Sequence, residues 1–373
     1  MRVSFAGGGT GGHLYPAIAI ADALIERGKL RAQPVEVEFF GTRDRLEARI
    51  VPAAGYPLHF VAAASLAGRG IFSAVRAAFV NAVGVLSAIL LLLKHKPLLL
   101  IASGGYVCFP VVAAAKSLRA VRLLTTPIVL LEINAQPGLT NRALAPLVDE
   151  VWGAFDATPR KFTGKYYATG VPIRRSLQAL PDREIAAHRL GIDPLKRTLL
   201  VMGGSQGARS INDAVLALMQ GGTFPQGWQV LHISGEADFQ RVSTLYQQHP
   251  IAGKVFPFLA VPADAYACAD AVLARAGAAT LAELAIVGLP AILVPYPHAS
   301  EDHQRVNAQQ FVTAGGATMI EDGNLSAETL SAALAKLIEP QTLQRMAEAT
   351  RALGKPNAID SIIDRVHALT GAL

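Results

Sequence analysis

The chain has 373 residues, of which 51% are hydrophobic and 6% are aromatic. This length predicts two domains of ordinary size, and the apolar content excludes a disordered chain. The formal net charge of +6 is compatible with anionic lipids or phosphorylated substrates as partners. The sequence has no dense Lys/Arg tract with interleaved aromatic residues, so we expect no nucleic-acid partner.

Cysteine usage and the N-terminus predict a cytoplasmic protein. The two cysteines, Cys108 and Cys268, lie far apart in apolar surroundings. This pattern predicts buried thiols in a reducing compartment, not a disulfide or a metal site. The N-terminus has no signal-peptide pattern. The longest apolar candidate, residues 82–93, is about 12 residues long against the roughly 20 that a membrane span requires, so we expect no span.

The first predicted strand, residues 2–6, runs directly into the glycine turn Gly7–His13. Such a turn exposes backbone N–H groups at the start of a helix, where an anion can bind, and it places an ionisable histidine there. The glycines also fit the dinucleotide pattern G-x-G-x-x-G. However, the second predicted strand, residues 35–40, carries its acidic residues inside the strand and not at its end, which argues against a bound dinucleotide.

Residues 68–96 form the most apolar part of the chain. Large apolar side chains recur at helical spacing and are followed by the nearly uniform apolar run 83–93. We expect two core helices of the first domain for most of these side chains. Basic residues around an apolar surface are also typical of a face that contacts an anionic membrane. The flanking basic residues are Arg69, Arg76, Lys94 and Lys96.

Strand-like and helix-like runs alternate along the chain, which predicts an α/β fold with parallel sheets. A second strand enters a second glycine turn, residues 203–208, and a proline-containing joint, residues 169–174, precedes it, with a hinge expected near 172–176. We therefore expect two Rossmann-like domains, 1–173 and 174–355, that face each other across a cleft, with a C-terminal helix at 356–373 packing back on the first. The further predicted strands are 98–102, 128–132, 150–153, 198–202, 229–233, 254–257, 271–274 and 291–294.

The run that follows the strand 271–274 contains Thr280 and Glu283. Their spacing fits a capping box, in which Glu283 would only cap the helix. A carboxylate at this position could instead accept both ribose hydroxyls of a nucleotide. The next strand, 291–294, is followed by an acidic-His-Gln…Asn-Ala run at 302–308.

Five motifs occur together in order: GGGTGGH, SGGYV, EINAQPGLTNR, GGSQGA and the run at 302–308. On these motifs the chain resembles the GT-B glycosyltransferases, and more narrowly the peptidoglycan N-acetylglucosaminyltransferases of glycosyltransferase family 28. The resemblance covers residue 2 to about residue 310 and is weaker at 40–95 and at 310–373. Other GT-B enzymes with lipid or natural-product acceptors remain an alternative, and so do nucleotide-sugar epimerases.

The resemblance implies inverting transfer of N-acetylglucosamine from UDP-N-acetylglucosamine to the muramoyl 4-hydroxyl of lipid I, an undecaprenyl-diphosphate-linked muramoyl-pentapeptide. The product is lipid II, a precursor of the cell wall. Because the acceptor is a polyprenyl-linked glycolipid, the resemblance also implies peripheral contact of 68–96 with an anionic membrane. The expected location is the cytoplasmic face of the bacterial inner membrane.

The resemblance places the donor mainly in the second domain. Two departures from the family pattern affect this site: Val171, in the joint before it, stands where many members have Asn, and His303 where some have Gln. The implied donor residues are Ser205, Gln206 and Arg174 at the diphosphate, Ala279 and Thr280 at diphosphate and ribose, Glu283 at the ribose hydroxyls, Asn134, His303 and Gln304 at the sugar, and Leu259 at the uracil.

The first glycine turn then becomes the expected acceptor site. His13 has a suitable intrinsic pKa for the general base, but it could equally bind the acceptor phosphate or pack the loop. Glu132 is a secondary candidate, as base or as an orienting acid. No DxD triplet and no His/Asp cluster with metal-ligand spacing occurs, so we expect no metal or other cofactor. The implied acceptor residues are Thr10, Gly11, Gly12, His13, Gly104, Gly105 and Tyr106, of which Tyr106 could also serve packing.

Overall fold

The computed structural model describes residues 1–65, 71–155, 162, 165–204, 206–248, 252–259 and 262–373. The chain divides into two compact units. Unit 1 consists of Met1–Arg174 and Asn357–Leu373, and unit 2 of Arg175–Pro356. Each unit is built on a parallel sheet, as the alternation of strand-like and helix-like runs predicted.

Unit 1 holds a seven-stranded sheet of order β3-β2-β1-β4-β5-β6-β7. Its strands are β1 (Arg2–Gly7), β2 (Glu36–Gly41), β3 (Leu58–Phe60), β4 (Leu99–Gly104), β5 (Ile128–Glu132), β6 (Glu150–Gly153) and β7 (Lys165–Tyr167). Its helices are α1 (Gly11–Leu30), α2 (Glu47–Ala53), α3 (Ile71–His95), α4 (Cys108–Ala120), α5 (Leu139–Leu144) and the C-terminal α14 (Ala358–Thr370).

Unit 2 holds a six-stranded sheet of order β10-β9-β8-β11-β12-β13. Its strands are β8 (Arg197–Met202), β9 (Trp228–Ile233), β10 (Gly253–Phe256), β11 (Ala271–Ala274), β12 (Ala291–Leu293) and β13 (Ala317–Met319). Its helices are α6 (Arg183–Leu190), α7 (Arg209–Gln220), α8 (Phe239–Gln248), α9 (Ala263–Cys268), α10 (Ala278–Val287), α11 (His303–Thr313), α12 (Ala327–Leu337) and α13 (Pro340–Ala352).

Helix α14 is tied into unit 1 by charged side chains. Arg365 on α14 binds the buried carboxylate of Glu150, with 3.1 Å between Nε and Oε2. The same guanidinium lies 3.8 Å from the centre of the Tyr167 ring. Because Glu150 begins β6 and Tyr167 ends β7, the C-terminal helix is fastened to one edge of the sheet.

Both cysteines are buried free thiols, as their apolar surroundings predicted. Burial raises the pKa of the Cys108 thiol to about 12 and that of Cys268 to about 11. Neither thiol is therefore a ready nucleophile at neutral pH.

Helix α3 corrects two of the sequence-based expectations. It is one continuous helix of 25 residues, not two, and many of its large apolar side chains are exposed, although Leu92 is buried in the core. Phe72 is 89% exposed and Ile71 is 78% exposed. By length and composition the helix could cross a membrane, since an 18-residue window has a mean hydropathy of 2.1 and is only 28% buried. The expectation that no segment is long enough to span was thus wrong.

Candidate active site

The first glycine turn is only partly open to a ligand. The Gly8 N–H donates to the Gly104 carbonyl at 3.2 Å, and the Gly9 N–H donates to Glu47 Oε2 at 2.9 Å. The expectation that the whole turn presents its N–H groups was therefore wrong for these two. Helix α1 begins at Gly11 without a side-chain cap, so the N–H groups of Gly11 and Gly12 have no acceptor within the helix and can face an anion.

The loop after β4 packs directly on this turn. A Cβ on Gly104 would lie 2.3 Å from His13 Nδ1, and one on Gly105 would lie 2.3 Å from the Gly8 carbonyl oxygen. Both glycines also have positive φ values, +113° and +89°. Only glycine allows such close approach in this conformation. The structure thus brings His13 and the two predicted acceptor loops together, with Tyr106 45% exposed beside them.

Glu47 supports the first turn and was missed in the sequence. Its side chain is buried, and its Oε1 accepts hydrogen bonds from the Thr42 N–H at 3.1 Å and the Thr42 hydroxyl at 2.6 Å. Together with the bond from Gly9, these contacts join the end of β2 to the turn. In the sequence, Glu47 lies in a charged stretch that is typical of a solvated surface. The one local signal was an acidic residue at the start of a short helix.

Glu132 organises the loop that follows β5. One carboxylate oxygen accepts bonds from the Asn134 N–H and side-chain amide, and the other from the Gly138 N–H and the Asn141 amide, at 2.9–3.1 Å. Burial raises the pKa of Glu132, while these four donors act in the opposite direction. A carboxylate enclosed in this way favours the orienting role over that of a base. The Asn134 amide is held against it.

Arg174 lies at the end of the first segment of unit 1. Its guanidinium carbon is 4.6 Å from the centre of the Tyr15 ring on α1, a cation–π contact. The side chain is half-buried. Its sequence-predicted role at the donor diphosphate remains a prediction.

The second glycine turn follows β8 in unit 2, and Ser205 within it lies outside the described residues. Backbone packing shapes the rest of the turn. A Cβ on Gly203 would lie 2.2 Å from the Ala208 nitrogen, and one on Gly207 would lie 2.3 Å from the Ser234 carbonyl oxygen. The Gly207 N–H donates to the Gly204 carbonyl at 3.1 Å. Gln206, described beside Ser205, is exposed.

A buried polar network underlies this second turn. The Asn212 amide donates to the Ser234 carbonyl at 3.0 Å and to Asp238 at 2.7 Å. Its oxygen lies 3.0 Å from His232 Nε2, and His232 Nδ1 lies 3.0 Å from the Tyr246 hydroxyl. Burial lowers the pKa of His232 to about 3, so the imidazole is neutral. The network fixes the Ser234 carbonyl on which Gly207 packs.

Helix α10 excludes the capping interpretation of Glu283, while its role at the ribose remains a prediction. The helix begins at Ala278 with Gly277 as its N-cap and no side-chain cap, so the capping box at Thr280 and Glu283 does not form. Glu283 Oε2 instead accepts a hydrogen bond from the Tyr266 hydroxyl at 2.7 Å. Ala279 and Thr280 lie in the open first turn, half-exposed. The helix start can therefore face an anion, with Glu283 one turn further along.

The remaining predicted donor residues lie on separate loops of unit 2. His303 and Gln304 open α11, and Gln304 Oε1 accepts a hydrogen bond from the Tyr296 N–H at 3.0 Å. The preceding Asp302 has a left-handed φ of +55°, a costly conformation for a residue other than glycine. Leu259 is half-buried and follows β10.

Two parallel α/β units, each with a glycine turn after a central strand, define the GT-B-like class of glycosyltransferases. Residues 3–152 match the glycosyltransferase family 28 N-terminal domain, and residues 198–362 match its C-terminal domain. The chain belongs to glycosyltransferase family 28 and is a glycosyltransferase.

Similar proteins cover the whole chain. A UDP-N-acetylglucosamine–N-acetylmuramyl-(pentapeptide) pyrophosphoryl-undecaprenol N-acetylglucosamine transferase from Desulforudis audaxviator is 39% identical over 100% of this chain and 99% of its own length. A transferase of the same name from Anaeromyxobacter is 40% identical over 98% and 92%. The crystal structure of MurG from Acinetobacter baumannii matches with a TM-score of 0.75 at 27% identity, covering 98% of this chain and 99% of that one.

Proposed function

We propose that this chain transfers N-acetylglucosamine from UDP-N-acetylglucosamine to lipid I, the undecaprenyl-diphosphate-linked muramoyl-pentapeptide, and so forms lipid II for the cell wall. The full-length similarity to transferases with these substrates in their names supports the proposal. The observation that carries it is the contact of His13 with the loop after β4, at the open start of α1.

In the proposed reaction, the muramoyl 4-hydroxyl attacks the anomeric carbon, the bond to UDP breaks and the configuration inverts. His13 accepts the hydroxyl proton, while the Gly11 and Gly12 N–H groups face the acceptor diphosphate. The negative charge that develops on UDP is stabilised by the second glycine turn, with Arg174 as a further cationic group. Glu283 accepts the ribose hydroxyls. Each of these roles belongs to the proposal.

A transfer assay tests the proposal. Purified protein is incubated with radiolabelled UDP-N-acetylglucosamine and lipid I, and we expect labelled lipid II. Absence of product from correctly folded protein would overturn the proposal. A second incubation without acceptor, followed by NMR of the nucleotide sugar, tests the epimerase alternative. Other lipid or natural-product acceptors test whether a different GT-B activity applies.

We further propose that α3 docks unit 1 on the cytoplasmic face of the bacterial inner membrane, as a peripheral contact. One stripe of α3 is fixed to protein: Gly84 packs against the Ala62 carbonyl, and the Asn81 amide bonds the Ala64 backbone twice, at 3.1 Å. The opposite face presents Phe79, 71% exposed, and Leu90, 70% exposed. A helix held along one side in this way is suited to lie at an interface and not to cross the bilayer.

Charge supports the same orientation. Arg76 is exposed on α3, and Lys94 and Lys96 are exposed at its C-terminal end. Each cation at the border of an apolar face contributes about 1 kcal/mol to the free energy of binding to an anionic membrane. Arg69, the fourth basic residue predicted for this face, lies outside the described residues.

A vesicle-binding assay tests the membrane contact. Replacement of Phe72 and Phe79 by serine should weaken binding to vesicles with anionic lipid by at least about tenfold, because burial of each phenylalanine contributes about 1.5–3 kcal/mol. Leu195→Ser is the matched control, since Leu195 is 92% exposed in unit 2. Equal binding of the double variant and the control would refute docking through α3.

A further inference from the structure

Three metal-ligating side chains converge in unit 1 outside both glycine turns. Glu38 lies on β2, His59 on β3 and His95 at the end of α3. Glu38 Oε2 is 3.2 Å from His59 Nε2 and 2.7 Å from His95 Nδ1. One ligand atom from each residue lies within 4.8 Å of the other two. Nothing in the proposed transfer reaction uses this cluster.

The separations suit a small metal ion. Tetrahedral zinc holds nitrogen and oxygen ligands at about 2.0–2.2 Å, which places neighbouring ligand atoms roughly 3.3 Å apart. The separation of His59 Nε2 from Glu38 Oε2, 3.2 Å, is close to this value, and that of His95 Nδ1, 2.7 Å, is shorter, so the ion would have to move His95 and Glu38 slightly apart. Two imidazoles and one carboxylate favour zinc or a similar transition metal, whereas calcium and magnesium prefer oxygen ligands alone.

The surroundings hold the ligands in place. The Ser4 hydroxyl donates to the second carboxylate oxygen of Glu38 at 2.6 Å, and Arg2 donates to the His95 carbonyl at 2.8 Å. Such outer contacts orient metal ligands. The Glu38 side chain is 7% exposed, and that of His59 is 26% exposed, which leaves one side open to water.

We propose that Glu38, His59 and His95 bind one divalent transition-metal ion, Zn²⁺ in the first place, with water as a fourth ligand. The rings bind as neutral imidazoles and Glu38 as a carboxylate. The metal replaces the direct contacts of these two rings with Glu38 Oε2, and no covalent bond breaks. Because the ligands come from β2, β3 and α3, the ion fastens the C-terminal end of α3 to the edge of the sheet.

Cobalt titration tests the site. The full chain, without a polyhistidine tag and after EDTA treatment, is titrated with Co²⁺, and we expect the visible absorption of four-coordinate cobalt, displaced by Zn²⁺ at one ion per chain. His59→Gln should weaken binding at least about 100-fold, and Ser4→Ala by about 10–100-fold. His188→Gln is the matched control, because His188 is exposed on α6. Wild-type protein without this absorption, or equal binding by His59→Gln, would overturn the proposal.

Thermal unfolding separates a metal site from a purely hydrogen-bonded cluster. Zn²⁺ that binds the folded chain should raise the unfolding midpoint of the wild type and of His188→Gln relative to EDTA, and should not raise that of His59→Gln. If zinc leaves the wild-type midpoint unchanged, the cluster is only hydrogen-bonded and the proposal fails. If His59→Gln does not fold, Ser4→Ala, which removes no ligand but is expected to bind zinc more weakly, should show a smaller zinc-dependent rise of the midpoint than the wild type, and an equal rise would count against the site.

Discussion

The glycine turn of unit 1 and that of unit 2 rest on different supports. Beneath the first turn lies the buried carboxylate of Glu47, which binds the Gly9 N–H, and at its mouth lies the imidazole of His13. Beneath the second turn lies a neutral histidine, His232, in a network whose acid, Asp238, is paired with Arg241 at 2.7 Å. The first turn thus rests on a carboxylate, and the second on a network built around a neutral histidine.

The two supports occupy different backbone groups of their turns. In the first turn, Glu47 and the Gly104 carbonyl already accept hydrogen bonds from the Gly9 and Gly8 N–H groups, so an anion is left with the N–H groups at the start of α1. In the second turn, the network fixes the Ser234 carbonyl on which Gly207 packs. The proposed division of roles, with the donor diphosphate at the second turn and the acceptor at the first, is tested by the variants below.

The largest expected effect is that of His13→Ala. Loss of a general base lowers kcat by about 10²–10⁴-fold. UDP affinity, measured by calorimetry, should be unchanged if the first turn plays no part in donor binding. His188→Ala provides the control for loss of an imidazole elsewhere. A fall in UDP affinity that matches the fall in kcat would contradict the separation of roles between the two turns.

Gly203→Ala should damage the second turn more than Gly204→Ala. A Cβ on Gly203 meets the Ala208 backbone at 2.2 Å, whereas Gly204, with φ of +85°, has open space around it and costs only backbone strain, about 1–2 kcal/mol. We expect the affinity for UDP-N-acetylglucosamine to be at least about tenfold lower in Gly203→Ala than in Gly204→Ala. Equal affinities would mean that the turn does not hold the donor.

Glu47→Gln tests the support of the first turn. The amide cannot accept every hydrogen bond that the carboxylate receives from Gly9 and Thr42. We expect a loss of about 2 kcal/mol in the free energy of unfolding and a higher KM for the acceptor, with unchanged donor affinity. Glu36→Gln is the control, since the Glu36 side chain is 68% exposed. A change in donor affinity would disprove an action confined to the first turn.

Acid should destabilise unit 2 through His232. Because burial lowers the folded-state pKa of His232 to about 3, the unfolded chain binds a proton below about pH 6.5 that the folded chain does not. The free energy of unfolding therefore keeps its full value above about pH 6.5. It decreases as the pH falls, by about 2 kcal/mol at pH 5. Urea unfolding at pH 7.5 and pH 5 should show this loss in the wild type and a smaller one in His232→Gln. The same pH difference in both would exclude His232 as its source.

The smallest effect is expected from Tyr266→Phe. This change removes the hydrogen bond to Glu283 Oε2 but leaves the carboxylate in place. Donor affinity should fall by about 3–10-fold, equivalent to the 0.5–1.5 kcal/mol of one hydrogen bond. Tyr246→Phe removes a comparable buried bond, to His232, and should leave donor affinity nearly unchanged. An equal loss in both variants would point to general destabilisation of unit 2.

Part of the fold could be predicted because its signals are local. The ten strands that the sequence predicted are all present, since hydrophobic runs between turn residues identify them. The strands β3, β7 and β13 were missed because each has only three residues and lies at an edge of its sheet, where it pairs with a single neighbour. Helix α3 was assigned to the core because an apolar helix has the same composition whether it packs on protein or remains exposed.

By itself, the sequence determined the two glycine turns, the α/β class and the family resemblance. Glycine at a close approach or at a positive φ is a local requirement, so it can be recognised residue by residue. Only the tertiary structure decided that Glu47 holds Gly9 and that Glu38, His59 and His95 meet. These contacts depend on β2 lying between β1 and β3, an order of strands that brings distant segments together.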